Sequence, residues 1–522
     1  MKNRQTSTEP RPAGHAVPTW MLMVTIFVTG NVIMMLEVVG TRVVGPFFGV
    51  GIYVWSALIT VALLALAAGY WLGGRLADVR PGPETLYRLI LISAVLTLIV
   101  PFLRHPVLAA AGHLGFRFGV LAGSAVLFGP ALFLLGMVSP FAAKLYTDRL
   151  ATLGRKVGSI YAISTLGSFI GTLTMGFYLI PNFRLTTILA GLGVVLLLLP
   201  AMYYMFGRTR RSLSAAALLV AAAAALVLWP RPSETGWVGN QVKVLHKSTS
   251  FYGELKVIEK GQARILLVDG VSQSGENMQA GRKYPQYIRD SITLLERYQP
   301  AGKSVLLIGL GGGNLIRPLQ ERGFRIDVVE IDKHIREAAI RFFDVDPDEV
   351  RITLEDGRRY VRQTDRTYDA VVMNAFSGES SPTHLLSTEF LEEVKTIMNP
   401  GGVYLVNFVS YVQGPHRHAA AALYHTLAES FAWAKTYFNY PKHRFSNVLF
   451  VAGDGEVPPV PGEVAGTEGW EDVADARVEI YGWQDAPVAT DEYNPLDFLN
   501  RVTYRRWREA IIADLGPEVL LD

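Results

Sequence analysis

Three stretches between residues 306 and 357 carry residue types that can hold a nucleoside. The first is "GLGGGN", Gly309 to Asn314, which follows the apolar run "SVLLI" and precedes "LIRPLQERG". Gly309, Gly311 and Gly312 let the backbone approach a ligand closely, and a helix N-terminus behind them favours negative charge or polar edges. The second, "VVEID", ends the next apolar run with Glu330 and Asp332. An acid about twenty residues after such glycines is placed to bind ribose hydroxyls. The third, "LEDGRRY", sets Asp356 and Gly357 after a further strand, where the acid can meet an adenine amino group. Singly, each also reads as a tight turn or a solvated strand-end acid. Their order is what points to a nucleoside-containing ligand.

These residues reach one edge only if strands and helices alternate, and the sequence alternates. "SVLLIGL", "RIDVVEID", "YDAVVMNAF" and "VYLVNFV" read as strands. "NLIRPLQERG", closing at Gly323, "KHIREAAIRFF" and "STEFLEEVKTIMNPGG" read as the helices between them. Short continuous apolar strands with intervening helices predict a parallel sheet covered on both faces. Upstream, "GELKVIEKGQARILLVDG" alternates and turns as a β-hairpin does. The stretch 454–470, rich in Gly, Pro, Val and Glu, reads as a loop.

The preceding 230 residues are of another kind. Half of the 522-residue chain is hydrophobic and the mean hydropathy is +0.25, too apolar for a purely soluble protein. Seven apolar runs have spanning length, near 20–44, 52–74, 86–103, 119–143, 157–181, 184–206 and 212–229. The first is too long for a signal peptide's apolar region. Net charge is only +3, with basic residues clustered between apolar runs, which fits a membrane protein better than a nucleic-acid binder. One set of connecting segments holds about twelve Lys and Arg and the other about five, which places the N-terminus in the cytoplasm. Seven crossings then put the C-terminal half outside, whereas a cytosolic cofactor requires it inside; the sequence leaves both open. Glu37 and Arg42 lie near the end of the first run, where ionisable groups usually face a cavity or a partner. Arg75 and Asp78 of "GGRLAD" read as a loop pair at the membrane surface. The absence of cysteine excludes disulfides, thiolate metal sites and cysteine nucleophiles.

Several motifs resemble those of a known family. "FYGELKVIEKGQARILLVDGVSQSGE", "YPQYIRD", "IGLGGGN", "VVEID" and "LEDGRRY" resemble the successive motifs of the spermidine synthases, the polyamine aminopropyltransferases, over roughly residues 245 to 452. "LEVVGTRVVGPFFG" and "AAGYWLGGRLAD" resemble the helical half of bacterial membrane-fused spermidine synthases. A generic methyltransferase would lack the "LLVDGVSQ" hairpin. The resemblance implies a multi-pass α-helical membrane domain followed by an α/β Rossmann-like domain with a small N-terminal β-domain. Its implied boundaries are a tail over 1–19, the membrane domain over 20–232 and a β-hairpin domain over 240–283. The Rossmann-like domain follows over 284–455, and a C-terminal tail over 456–522 packs on it. Decarboxylated S-adenosylmethionine, or S-adenosylmethionine itself, is the implied donor, with no metal. Gln273, Glu330 and Asp356 would hold its nucleoside beside Gly309, Gly311, Gly312, Asp332 and Gly357. Asp269, Glu276, Tyr284 and Tyr440 would lie around the active-site cleft. The implied partners are a polyamine or other amine acceptor, a lipid membrane and a second copy of the chain, with no nucleic acid.

The departures from the family pattern fall on the chemistry. Gly312 stands where the family's glycine loop usually has an Asp. In "YDAVVMNAFSGES", Asn374 and Ser377 stand at the two acids of the family's catalytic motif, and Gly253 replaces a Gln. A sulfonium donor opens the carbon beside sulfur to attack by an amine that must first be neutral; a carboxylate takes its proton and attracts a diammonium ion. Asn374 cannot be a base at neutral pH. Glu379, Asp491 and Glu492 are the replacement acids on offer, each equally readable as a surface acid, the last two as acceptor-binding groups. His384 reads as a helix-start or packing residue. His416 and His418 in "GPHRHAA" read as a polar loop rather than metal ligands. Two readings stand: an aminopropyltransferase-type enzyme, or a sensor or transporter that binds the nucleoside or a polyamine without turnover. A third, an S-adenosylmethionine-dependent methyltransferase, leaves the hairpin unexplained.

Overall fold

The computed structural model describes residues 17–49, 52–147, 152–206, 235–238, 241–278, 284–299, 304–440, 444–456, 473 and 475–521. The chain divides into two units, Met1–Val44 with Gly51–Pro232 and Gly45–Val50 with Ser233–Asp522.

In the first unit, six helices among the described residues are long and apolar enough to cross a membrane. They are Thr19–Phe48, Tyr53–Val79, Pro83–Gly112, Arg117–Tyr146, Leu153–Asn182 and Leu185–Met205. The shortest has 21 residues, enough for a hydrocarbon core about 30 Å thick. The seventh predicted span, 212–229, lies outside the described residues, as do Arg208, Arg210 and Arg211. Phe102, Phe118 and Phe177 point outward, which inverts the pattern of a water-soluble bundle. Glycines hold one helix pair close. A Cβ on Gly167 or Gly171 would collide with the backbone carbonyls of Phe27 and Asn31 on the first helix. Glu37 and Arg42 both lie on that first helix and are half-buried.

The expected pairing of Arg75 with Asp78 does not form. Both lie on the helix Ile52–Val79, and three residues apart they extend to different partners. Asp78 accepts from Lys144 at 2.8 Å, and the Arg75 guanidinium lies 3.9 Å above the Trp71 ring.

The second unit holds two sheets. The first is an antiparallel meander in sequential order, β1 (Gly236–Val238), β2 (Val242–Thr249), β3 (Glu254–Lys260), β4 (Ala263–Val268) and β5 (Val271–Asn277). The expected hairpin is thus the middle of a five-stranded sheet. Its β4–β5 turn is Asp269-Gly270 with φ of 47° and 77°, the left-handed pair that a two-residue hairpin turn requires.

The second sheet has seven strands: β6 (Ser304–Ile308), β7 (Arg325–Glu330), β8 (Arg351–Leu354), β9 (Tyr368–Met373), β10 (Met398–Ser410), β11 (Trp433–Tyr437) and β12 (Ser446–Gly453). Their order is β11-β12-β10-β9-β6-β7-β8. Helices fill the connections, and two apolar clusters cover the two faces, one around Leu307 and Val328, the other around Leu306 and Val371. This is a Rossmann-like doubly wound sheet. It is not wholly parallel, because β12 runs antiparallel to β10 and β11. The short link from β11 to β12 has no room for the crossover that a parallel neighbour needs.

Two local expectations also change. The helix expected over 387–402 stops at Thr396, and β10 starts at Met398. Pro400 and Gly401, the latter at φ +74°, cannot continue a helix. The expected polar loop around His416 and His418 is a 3-10 turn, Gly414–His416, followed by the helix His418–Ser430. Among the described residues no cluster of His, Asp and Glu could hold a metal ion.

The C-terminal segment packs on both sheets. On the helix Leu496–Leu515, Leu496 joins the seven-stranded core, and Asn500 bonds Ser410 and the Val409 carbonyl. Ile511 and Leu515, with Val519 and Leu520 beyond, join Val244, Ile258, Leu267 and Val271 of the small sheet. Lys256 donates to the Val519 and Leu520 carbonyls at 2.9 and 3.1 Å.

Candidate active site

The strand order reverses between β6 and β9, and the crevice outside the C-terminal ends of the strands at such a reversal is the usual ligand position. Gly309 follows β6 and Asn374 follows β9. The Asn374 amide donates to the Ile308 carbonyl at 2.9 Å. Gly309 has φ +92°, and a Cβ on it would lie 2.6 Å from the Asn374 carbonyl oxygen, so only glycine fits. The small sheet supports the loop from its other side. The Gly312 amide donates to Ser274 Oγ at 2.9 Å, and Asn314 Nδ2 donates to the Gly275 carbonyl at 3.0 Å. A Cβ on Gly312 would sit 3.0 Å from Ser274 Cβ and 3.1 Å from the Phe343 ring. Packing therefore accounts for glycine at 312, and an acid there would need its neighbours to shift.

Glu330 ends β7 within this crevice. Its two oxygens accept the amides of Leu310 and Asp332, each at 2.9 Å. Burial pushes its pKa up to about 7, against the pull of those amides. Asp332 caps the helix Lys333–Phe342 by accepting the His334 amide at 2.8 Å, and its other oxygen accepts Ser250 Oγ. Asp356 caps the helix Gly357–Gln363 through the Arg359 amide at 3.0 Å and meets His384 Nε2 at 3.0 Å. Burial would raise Asp356, but those contacts and the Arg358 amide hold it below the usual carboxylate range. His384 lies in a 3-10 turn with its side chain half-exposed. A Cβ on Gly357 would collide with Ile308 at 2.6 Å, so that helix starts hard against β6.

Sequence reasoning passed over Tyr252. Its hydroxyl pKa is raised first by burial, then by the negative charges of Asp332, Asp356 and Glu330. Tyr252 is 41% exposed, so it stays open to a ligand while its hydroxyl feels the charge of all three acids. The signal was its place beside Gly253, at the family's motif. Ser250 and Ser274 were missed as well, because a single serine carries no pattern.

On the β9 side of the crevice the groups are neutral. Asn374 Oδ1 accepts Asn407 Nδ2 at 2.8 Å, and Asn407 Oδ1 accepts Asn447 Nδ2 at 2.9 Å. Three adjacent strands, β9, β10 and β12, thus contribute one ladder of amides. Ser377 is exposed and forms a backbone bridge with Ser380. Gln273 Nε2 donates to the Gly378 carbonyl at 2.7 Å, tying β5 to this loop. Glu379 is buried and paired with Arg508 of the C-terminal helix, which also donates to the Asp269 carbonyl at 2.9 Å. Asp269 Oδ1 in turn accepts the Glu254 amide at 2.9 Å.

Other expected site residues lie in separate settings. Glu276 is buried on β5 opposite Arg264 of β4. Tyr284 packs against the core face that includes Leu310, and Tyr440 against the opposite face. Burial raises the Tyr440 hydroxyl, with the charge of Asp290 adding to it. Asp491 receives both terminal nitrogens of Arg358, at 2.7 and 2.8 Å, and Ser387 Oγ at 2.7 Å. The Arg358 contact leads in pulling its pKa down to about 2. Asp491 is therefore part of a clasp between the C-terminal segment and the helix Gly357–Gln363. Glu492 is exposed.

Comparison with known proteins bears on this geometry. Residues 292–441 match the spermine/spermidine synthase domain. The polyamine aminopropyltransferase of Vibrio vulnificus is 31% identical over 184 residues, 33% of this chain and 60% of that protein. Polyamine aminopropyltransferase 2 of Hyperthermus butylicus is 27% identical over 239 residues, 44% of this chain and 76% of that protein. The spermidine synthase crystal structure from Thermotoga maritima shares 17% identity, with a TM-score of 0.37 over 49% of this chain and 96% of that one. The matched segment carries the glycine loop, Glu330, Asp356, Asn374 and Ser377, while Gln273 and Tyr252 precede it.

Proposed function

We propose that the α/β unit is an aminopropyltransferase-type domain for an adenosyl sulfonium donor, decarboxylated S-adenosylmethionine or a close relative, and that the apolar helices fix it to a membrane. One observation carries the reading. Glu330 at the end of β7 holds the Leu310 amide of the glycine loop, and the Tyr252 hydroxyl feels the charges of Asp332, Asp356 and Glu330. In this reading ionised Glu330 accepts the ribose hydroxyls, Asp356 accepts the adenine amino group and the Tyr252 ring covers the nucleoside. Three acids beside the crevice also favour a positively charged sulfonium. The neutral Asn374 amide favours a second reading, binding without turnover, because no base is present at that position.

Calorimetry of the detergent-solubilised full chain with methylthioadenosine tests the nucleoside site. Absence of binding sinks the proposal. Mass spectrometry then separates the chemistries. Methylthioadenosine released from the decarboxylated donor marks alkyl transfer, and S-adenosylhomocysteine from S-adenosylmethionine marks methyl transfer. An intact donor in a protein that binds it leaves the sensor reading.

A further inference from the structure

Among the described residues on the β9 side, the two positions of the family's catalytic acids and the acid nearest to them in sequence are each without free negative charge. At the first, Asn374 is an amide whose oxygen is taken by Asn407. At the second, Ser377 is a hydroxyl. The third is Glu379, the nearest acid in sequence, and Arg508 neutralises it in a pair whose side chains are 4% and 11% exposed. Asp497, close enough to Glu379 to feel its charge, accepts the Tyr504 hydroxyl at 3.1 Å. Asp491 is bound to Arg358. A dication such as putrescine brings two hydrated ammonium groups, and desolvating them without counter-charges is strongly unfavourable.

We infer that the acceptor side of this crevice is built for a nucleophile that enters without positive charge, a carboxylate being the simplest case. The inference rests on the donor reading above and names its acceptor class. The nucleophile's lone pair forms a bond to the carbon beside sulfur, and the carbon–sulfur pair returns to sulfur, which leaves as a neutral thioether. An ammonium must lose a proton before this step. A carboxylate need not: its charge cancels that of the sulfonium, the thioether leaves neutral, the ester keeps only the ammonium that the aminopropyl group already carried, and no base takes part. That balance matches a site with an amide ladder where a base would stand.

The test is calorimetry of the full chain with putrescine and with spermidine, each with and without methylthioadenosine. The expected result is no saturable binding by the wild type and at least about tenfold tighter binding by N374D/S377D. Asp at 374 still accepts from Asn407 Nδ2, so the ladder survives, and S377D alone, at an exposed position, gives a second variant. Wild-type binding equal to that of the variants, or spermidine formation by the wild type, overturns the inference. The arm without nucleoside decides the charge question even if methylthioadenosine does not bind, an outcome that counts against the donor reading alone.

Discussion

The two sides of the crevice differ in charge although they flank the same strand, β6, of one sheet. The β7–β8 side gathers Glu330, Asp332, Asp356 and Tyr252. The β9–β10–β12 side gathers Asn374, Asn407 and Asn447 and holds Glu379 under Arg508. The frame for a nucleoside and the means to deprotonate an acceptor are therefore separable. A fold can keep the first while neutral groups replace the second, so a family resemblance carried by donor motifs is no guide to the acceptor.

The largest expected effect breaks the neutral side. R508M leaves Glu379 buried without its partner, which costs about 3–5 kcal/mol in urea unfolding of the solubilised chain. R508M/E379L recovers most of that loss, and an R508M chain of wild-type stability removes the buried pair from the comparison. On the charged side, E330Q keeps the shape but loses the charge and weakens methylthioadenosine binding by roughly 10–100-fold in calorimetry.

The pH response sharpens the same side. With Glu330 raised to about 7, nucleoside affinity in the wild type climbs as pH rises through that value, and in E330Q it is flat. The sign for stability is opposite. Between the unfolded glutamate value, about 4.3, and about 7 the folded chain binds the extra proton, so this group's contribution falls as pH rises. A stability profile of E330Q without that slope checks it. Asp491 behaves conversely. Its folded pKa lies near 2, so its contribution is present above its unfolded value and is lost as pH falls toward 2. The carboxylate is 40% exposed, and D491N costs no more than about 1 kcal/mol at neutral pH. The smallest effect belongs to K144A, whose surface pair with Asp78 contributes about 0–1 kcal/mol.

The sequence made the charged side legible because its information is local. Glycines, a strand and a terminal acid lie within about 25 residues, and a right-handed crossover brings them together. The six described helices were legible for the same reason, since length and hydropathy are properties of a single run. The neutral side was not. Asn407 and Asn447 stand 33 and 40 residues from the partners they bond, and Arg508 stands 129 from Glu379. A lone Asn on an apolar strand announces nothing until the strand order is known. Asp332 and Asp491 fitted a ligand role by type; the structure adds a cap from Asp332 to the amide two residues on, and a clasp from Asp491 to Arg358, 133 residues away, which no local pattern announces. The antiparallel β12 was hidden because apolar runs carry no direction.

The C-terminal helix sits in both cores at once, with Leu496 and Asn500 in the large sheet and Ile511 and Leu515 against the small one. In mechanical terms it is a tie rod. Two sheets sharing only a crevice could swing apart like jaws to admit a substrate; two sheets pinned by a common helix cannot do so without tearing apolar contacts from one of them. Traffic through the crevice must then rely on small segmental motions. Heating should melt both sheets in one calorimetric peak, with no earlier loosening of the smaller sheet.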